Sequence, residues 1–230
     1  MGIEIPKPLL DEDYAVGLVE KYFEKDDRGQ FRYAGAYFER LGGERERLEA
    51  ANRVTAEDLI AVSMLSVPLI RYYALDILVY QAPKISDLLA RIPVNVTLVD
   101  AGAESLIAKG GPASELWELL SNIKPPREKR RLGEVGAGKL LARKRPQLIP
   151  VYDSYVKKAL QRTRTHGTWW SDLRCQLTKD ATLVSELEAV RTGVGPEAAH
   201  LSQLRIFDIM CWMHWRETGG RVDASMAAVA

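Results

Sequence analysis

A single aspartate, Asp153, stands where an extended apolar run over residues 148–151 meets the start of a predicted helix. A carboxylate in that place can cap the helix by accepting backbone N–H bonds, and it can also do chemistry in a pocket. A fixed carboxylate can stabilise a positive charge that develops beside it, and it can activate water. The spacing alone leaves both roles open, helix cap and catalytic group.

A glycine-rich stretch precedes this aspartate and leads into a predicted helix over residues 137–145. Glycines at a helix start let backbone N–H groups approach a phosphate closely, and the helix dipole favours the anion. The helix also carries a run of cations that could neutralise further phosphates of a nucleic acid. A tight turn between helices and a solvated basic face are the structural alternatives. The candidate nucleic-acid-binding residues are Gly136, Gly138, Lys139, Arg143, Lys144 and Arg145.

Aromatic side chains cluster in the sequence on both sides of Asp153. A planar ligand is held by stacking against aromatic rings, so aromatic residues near the carboxylate are candidates for a pocket. Burial in a core is the structural alternative, since aromatic faces of helices usually point inward. The candidate pocket residues are Tyr152, Tyr155, Trp169 and Trp170.

The net charge of +1 conceals a strong asymmetry along the chain. Residues 1–123 carry 13 Lys and Arg against 20 Asp and Glu, whereas residues 124–164 carry 13 against 3. A charge concentrated in one segment creates a local positive field that a polyanion would find even on a nearly neutral molecule. The basic segment therefore favours a polyanion such as a nucleic acid as the partner. The acidic first half favours a small molecule or a protein instead.

Hydrophobic residues make up 47% and charged residues 27% of the 230 positions, which excludes general disorder and is typical of a globular protein. The two cysteines, Cys175 and Cys211, lie far apart, and the three histidines are scattered. We therefore expect no metal, no cofactor and a reduced, cytoplasmic protein. The longest apolar run, residues 59–80, is broken by a proline and two charged residues, so it predicts a buried core segment and no membrane span.

Helical periodicity dominates the chain and predicts an all-α fold of roughly nine to eleven short helices. Thr55 and Asp58 form a capping-box pattern at one helix start, and Asp180 precedes another. Only residues 94–99 and 148–151 are typical of extended chain, and neither segment has the partners that a sheet requires.

The sequence shows no internal repeat and no long linker. We therefore expect a single domain over residues 1–219, with the glycine-rich stretch and Asp153 together at 132–156. The small residues at 220–230 predict a flexible tail. Nothing in the sequence decides the oligomeric state.

Three consecutive segments form a known pattern, namely Leu132-Gly-Glu-Val-Gly136, the basic helix 137–145 and Pro150-Val-Tyr-Asp153. They resemble the motif of the helix-hairpin-helix DNA glycosylase superfamily, in which a glycine hairpin and a basic helix precede a catalytic aspartate. The resemblance implies a compact all-α fold, a hairpin that contacts DNA phosphates, and Asp153 as the catalytic carboxylate. Residues 33–38, 55–59, 139–146 and 201–205 are in addition similar to a bacterial domain family of unknown function, which names no chemistry.

The chain departs from the glycosylase pattern at three places. Gly133 occupies the position where the superfamily hairpin usually has proline, and Glu134 the position where it usually has glycine. Glu134 therefore puts a carboxylate beside the expected phosphate site. Lys139 lies one residue beyond the lysine that forms a Schiff base in some members, so we expect it to point elsewhere, because one residue is about 100° on a helix. The stretch from Gly136 to Asp153 is also shorter by about one helical turn.

The first hypothesis is an all-α, DNA-binding protein that hydrolyses the N-glycosidic bond of a modified or damaged base. Because no lysine matches the Schiff-base position, such an enzyme would be monofunctional and would leave an abasic site. The second hypothesis is a non-catalytic nucleic-acid-binding relative, which Glu134 and the shortened spacing favour. The third is a fold reused for a small molecule or a protein partner.

Overall fold

The backbone of this protein is helical throughout the part that its computed structural model describes, residues 3–67, 70–126, 129–163 and 166–219. Within these ranges there is no β-strand, only an isolated antiparallel bridge between Lys25 and Phe31. Residues 94–99, which the sequence predicts to be extended, lie mostly in turns. The Leu98 N–H donates to the Gln147 carbonyl (2.9 Å), one residue before the second predicted segment at 148–151. The prediction of an all-α fold is confirmed.

Twelve α-helices occur in the described ranges, joined by short 3₁₀ turns and by a π-helical turn that extends α4. They are α1 Glu12–Tyr22, α2 Glu44–Glu49, α3 Ala56–Met64, α4 Ile70–Leu75, α5 Ala82–Ala90, α6 Ala103–Ile107, α7 Pro112–Ser121, α8 Gly133–Lys144, α9 Ser154–Ala159, α10 Trp169–Lys179, α11 Ala181–Val194 and α12 Gln203–Thr218.

Side-chain caps begin several of these helices where the sequence predicts them. Thr55 accepts a hydrogen bond from the Asp58 N–H, and the Asp58 carboxylate accepts one from the Thr55 N–H, so the predicted capping box of α3 is confirmed. Asp180 caps α11 by accepting from the Leu183 N–H (3.2 Å). Each cap satisfies backbone donors that a helix start leaves without intrahelical partners.

The helices pack in two groups around a shared hydrophobic core. In one group α12 lies against α1, α9 and α11, and in the other α8 lies against α3 and α7, with α5 against α7. A pocket opens where the two groups meet, at the end of α3, the start of α9 and one face of α12. The site below is therefore built from segments that are distant in sequence.

The glycines expected to form a turn before a helix lie inside the helix itself. Helix α8 begins at Gly133, which has a φ of +77°, and includes Gly136 and Gly138. A Cβ at Gly136 would lie 2.7 Å from the Leu132 side chain and 3.6 Å from Val67, so this glycine permits close packing at the start of α8. Residues 122–132 join α7 to α8, and a helix-hairpin-helix motif is not confirmed here.

None of the helices in the described ranges is both long and apolar enough to cross a membrane. The tail predicted at residues 220–230 lies outside the described residues.

Candidate active site

Asp153 occupies the N-cap of α9 and faces a pocket at the same time. Its backbone is extended, and its Oδ1 accepts hydrogen bonds from the N–H groups of Tyr155 (2.9 Å) and Val156 (3.2 Å). Its side chain is only 15% exposed and contributes to the pocket wall. The two predicted roles of Asp153, helix cap and catalytic group, are therefore compatible, because the cap uses Oδ1 and leaves Oδ2 for other partners.

Lys139 points directly at this aspartate, and the expectation that it points elsewhere is wrong. Its Nζ donates to Asp153 Oδ2 (3.0 Å) and to the Leu65 carbonyl (2.7 Å), and its side chain is 4% exposed. The reason is tertiary, since the extended chain before α9 brings Asp153 back over the middle of α8. The site thus combines a partly buried carboxylate with a buried ammonium group.

The pocket beside this ion pair has a volume of about 290 Å³ and is walled by aromatic rings. Tyr22 and Tyr33 stack with ring centroids 5.7 Å apart, and Trp212 meets Tyr33 edge-on at 5.3 Å. Tyr155 approaches Trp212 at 5.7 Å and continues the wall toward Asp153. Rings around a carboxylate suit a planar ligand, which gains by stacking against them.

The floor of the pocket holds a second carboxylate, Asp208, which reasoning from the sequence missed. It is 2% exposed and accepts a hydrogen bond from Arg205 one helical turn earlier on α12. Arg205 also donates to Glu39 Oε1 (2.7 Å), to the Tyr22 hydroxyl (2.8 Å) and to the Gly35 carbonyl (3.2 Å). An arginine and an aspartate one turn apart within the apolar stretch of α12 were the available signal in the sequence.

Burial raises the pKa of the Asp208 carboxyl to about 6. The Arg205 guanidinium opposes that shift, the negative charge of Asp153 adds to it, and Lys139 opposes it weakly. Two carboxylates that face the same small space disfavour being charged together. A pKa of about 6 lies closer to neutral pH than that of an ordinary aspartate, which suits a carboxyl that donates or accepts a proton.

We expect this raised pKa to make the stability of the protein depend on pH. The carboxyl has a pKa of 3.8 in its ordinary state and about 6 when folded, so its stabilising contribution is complete below the first value and is lost as the pH rises through the second. Relative to Asp208→Asn, the wild type should lose about 2 to 3 kcal/mol of unfolding free energy between about pH 4 and pH 7. Urea unfolding of both proteins across that range measures the difference, and parallel pH profiles would contradict the prediction.

The basic run at the end of α8 faces the protein interior, and the expectation of an exposed phosphate-binding face is wrong for it. Arg143 donates from Nε to Asp58 Oδ1 (3.1 Å) and from its other nitrogens to the carbonyls of Phe38 and Leu41. Lys144 donates to Asp58 Oδ2 (2.8 Å), and burial lowers its pKa although Asp58 opposes the shift. These cations hold α8 to α3, because their hydrogen bonds go to Asp58 and to backbone carbonyls within the fold.

Arg145 is the most deeply buried member of this run, at 1% exposure. Its guanidinium has no acidic partner among the described residues, and burial lowers its pKa to about 10. Hydrogen bonds of 2.6 to 2.8 Å instead connect it to residues just after α2, to the C-terminal end of α5 and the residue that follows Arg91, and to the adjacent residue Lys144. The acceptors are the carbonyls of Ala51, Leu89, Ile92 and Lys144 and the side chain of Asn52.

Of the two glycines proposed for phosphate contact, Gly136 is buried and Gly138 is half-buried beside α7. Gly136 is buried beneath Leu132, and Gly138 lies 4.0 Å, measured from an ideal Cβ, from the Trp117 indole nitrogen. That nitrogen donates to the Glu134 carbonyl (3.2 Å), which fixes α7 against the first turn of α8. The first turn of α8 is therefore covered by α7 on the side of Gly138.

Of the four aromatic residues proposed for the pocket, Tyr155 alone lines it. Tyr152 and Trp169 stack on each other at 4.6 Å and are buried, with Arg162 beside both rings. Trp170 packs edge-on against Trp117 at 6.2 Å. The other rings of the wall, Tyr22, Tyr33 and Trp212, come from the two ends of the chain.

No cluster of three or more metal-ligating side chains occurs among the residues that the structure describes. The arrangement that remains is a carboxylate pair, an ammonium group and an aromatic wall. Such a set can bind a planar ligand, stabilise a positive charge next to it, and move a proton.

A sequence profile described as a family of unknown function, DUF6308, matches residues 15–215. Because the match spans most of the chain, the protein belongs to that family. No curated protein and no solved structure matches the chain. The similarity to a bacterial family of unknown function is thereby confirmed, and the resemblance to the DNA glycosylases stays a prediction.

Proposed function

We propose that this DUF6308 protein hydrolyses the N-glycosidic bond of a modified base in DNA, with Asp153 as the catalytic carboxylate. The observation that carries the proposal is the opening of Asp153 into a pocket walled by aromatic rings, with Lys139 against its other side. The pocket offers a planar base its stacking surface and offers the sugar its counter-charge. An extruded base needs the stacking surface, and cleavage of its bond to the sugar needs the counter-charge.

The reaction would proceed by departure of the base and attack of water. The base leaves with the electron pair of its bond to the sugar, and the sugar becomes cation-like. Asp153 lies at the pocket wall, where its negative charge stabilises this cation. Water then bonds to the sugar carbon and loses its proton, while the base gains one. Asp208, with its pKa of about 6, is the group in the pocket suited to exchange that proton.

Lys139 has a supporting role in this proposal. Its ammonium group holds Asp153 Oδ2 in place while the backbone of α9 holds Oδ1. A carboxylate fixed at both oxygens keeps its orientation during the reaction, which is the condition for electrostatic catalysis. Because the Lys139 ammonium is engaged by Asp153 and by the Leu65 carbonyl, we take water and not this lysine as the nucleophile, which makes the proposed enzyme monofunctional.

A second candidate function is hydrolysis of the same bond in a free nucleoside or nucleotide. The observation in its favour is the burial of Arg143, Lys144 and Arg145, which removes the basic face expected to bind a long polyanion. The non-catalytic alternative also stays open, and it predicts ligand binding without release of a base.

The decisive experiment compares two duplexes that differ by one charge. One carries a protonated pyrrolidine in place of a single deoxyribose, and the other carries a neutral tetrahydrofuran. We expect the wild-type protein to bind the cationic duplex at least about tenfold more tightly in fluorescence anisotropy, because a transition-state mimic gains the interaction that the sugar cation makes. Equal affinity for the two duplexes would overturn the DNA glycosylase proposal.

A base-release assay distinguishes the hypothesis of a hydrolase from that of a protein that binds its ligand without cleaving it. Single-turnover reactions with duplexes containing deaminated, oxidised or alkylated bases, and with the matching free nucleosides, are analysed for free base. Release from duplex supports the first function, and release from nucleosides alone supports the second. Preference for the cationic duplex with no release from either substrate set would favour the non-catalytic relative.

A further inference from the structure

We propose that the mouth of the pocket is a phosphate-binding site formed by Arg216 and Arg32. The inference rests on the proposed function and names its substrate class, a nucleoside that carries a phosphate on its sugar. The two arginines line the mouth from different segments, one near the end of α12 and the other before Tyr33. They would take the place of the buried basic run as the contact to phosphate.

Arg216 is held in position by rings and keeps its hydrogen-bond donors available. Its guanidinium carbon lies 5.0 Å from the centroid of the Trp212 ring and 5.3 Å from that of Tyr33. Within the described ranges it makes no hydrogen bond and no ion pair, and its side chain is exposed. Ring contacts fix an arginine without using its N–H groups, so a planar fork of donors stays free for an oxyanion.

Arg32 adds a second cation whose present partner is weak. It faces Glu24 at 3.4 Å, and the two side chains are 57% and 47% exposed. An exposed pair of this kind contributes little to stability, because both ions are solvated and screened. An incoming phosphate could therefore replace Glu24 at small cost and gain a charge-assisted hydrogen bond.

The distribution of charge in the pocket favours one orientation of the bound molecule. Asp153 and Asp208 lie in the more buried part of the pocket and are each paired with a cation, Lys139 and Arg205. Arg216 and Arg32 are exposed, so an anion gains most at the mouth. The nearest acidic neighbour of Arg216 in sequence, Glu217, is paired with Lys21 at 2.5 Å. A nucleoside phosphate fits this field with its base on the aromatic wall and its phosphate at the arginines.

The test uses Arg216→Gln, which keeps a polar side chain of similar reach and removes the charge. The matched control is Arg45→Gln, since Arg45 is an exposed arginine on α2 that is paired with Glu49 and lies outside the pocket. Calorimetric titration compares four nucleosides with their 5′-monophosphates. We expect the wild type and the control to prefer the monophosphates by about tenfold, and Arg216→Gln to lose most of that preference.

Two outcomes would overturn the inference, namely no preference for phosphate in the wild type or an unchanged preference in Arg216→Gln.

A short single strand added to the same titrations identifies the source of the phosphate. Tighter binding of the strand than of every monophosphate indicates DNA, and weaker binding indicates a mononucleotide. If the phosphate preference depends on Arg216 but no base is released, the hydrolytic function fails and the phosphate site stands. If base is released at equal rates with and without Arg216, the phosphate site fails alone.

Discussion

Asp153→Asn is expected to reduce base release by about 100-fold or more, since it removes a charge that acts on the transition state. Asparagine is as good an N-cap as aspartate, so α9 keeps its start while the sugar cation loses its counter-charge. The same substitution should abolish the preference for the pyrrolidine duplex. Single-turnover kinetics and anisotropy measure the two effects, and full excision by this variant would end the catalytic assignment.

The controls for this prediction separate chemistry from folding. Asp180→Asn makes the same change at the N-cap of α11 and should leave the rate unchanged. Asp153→Asn also leaves the Lys139 ammonium without its counter-charge, which destabilises a buried cation. The double variant Lys139→Gln/Asp153→Asn removes both charges and should be folded and equally slow. Recovery of the rate in the double variant would show that the unpaired lysine, and not the lost carboxylate, caused the defect.

Asp58→Asn is expected to lower the free energy of unfolding by about 3 to 5 kcal/mol, the usual cost of breaking a buried ion pair from one side. Asp58 is 2% exposed, and its carboxylate receives Arg143, Lys144 and the Thr55 N–H. Asparagine keeps the shape but leaves two buried cations without a negative partner. Urea unfolding followed by circular dichroism measures the loss.

Glu57→Gln is the matched control, because Glu57 is the exposed neighbour of Asp58 in the same first turn of α3. It removes the same charge from the same helix start, with no buried partner, so we expect a far smaller change. A loss of less than about 1 kcal/mol in Asp58→Asn would contradict a structural role for the basic run. Arg143 and Lys144 would then be available for another role.

The predictions that the structure confirms were those set by local chemistry. The helical periodicity and the scarcity of strand signals predicted an all-α fold, and helix-capping side chains predicted where α3 and α11 begin. Asp153 could be singled out because a carboxylate after an extended run belongs at a helix start. Caps and periodicity depend on residues three or four apart, so the sequence determines them directly.

The tertiary structure alone decided which charges face inward. A count of cations at the end of α8 says nothing about the carboxylate that meets them, and Arg143 and Asp58 are 85 residues apart in the chain. The prediction that Lys139 points away from Asp153 was wrong for the same reason. The angular position of Lys139 on α8 does not tell where the later segment places Asp153. The pocket wall likewise joins Tyr33 to Trp212 from opposite ends of the sequence.

The sequence by itself thus determined the helical class, the helix starts and one carboxylate able to do chemistry. Which groups that carboxylate meets was decided by packing, because a side chain buried by one helix must find its partner on another. The pairing of Asp153 with Lys139, the placing of Asp208 and the aromatic wall all arise at contacts between segments far apart in the chain. No local pattern encodes those contacts, and they are what turns a helix cap into a candidate active site.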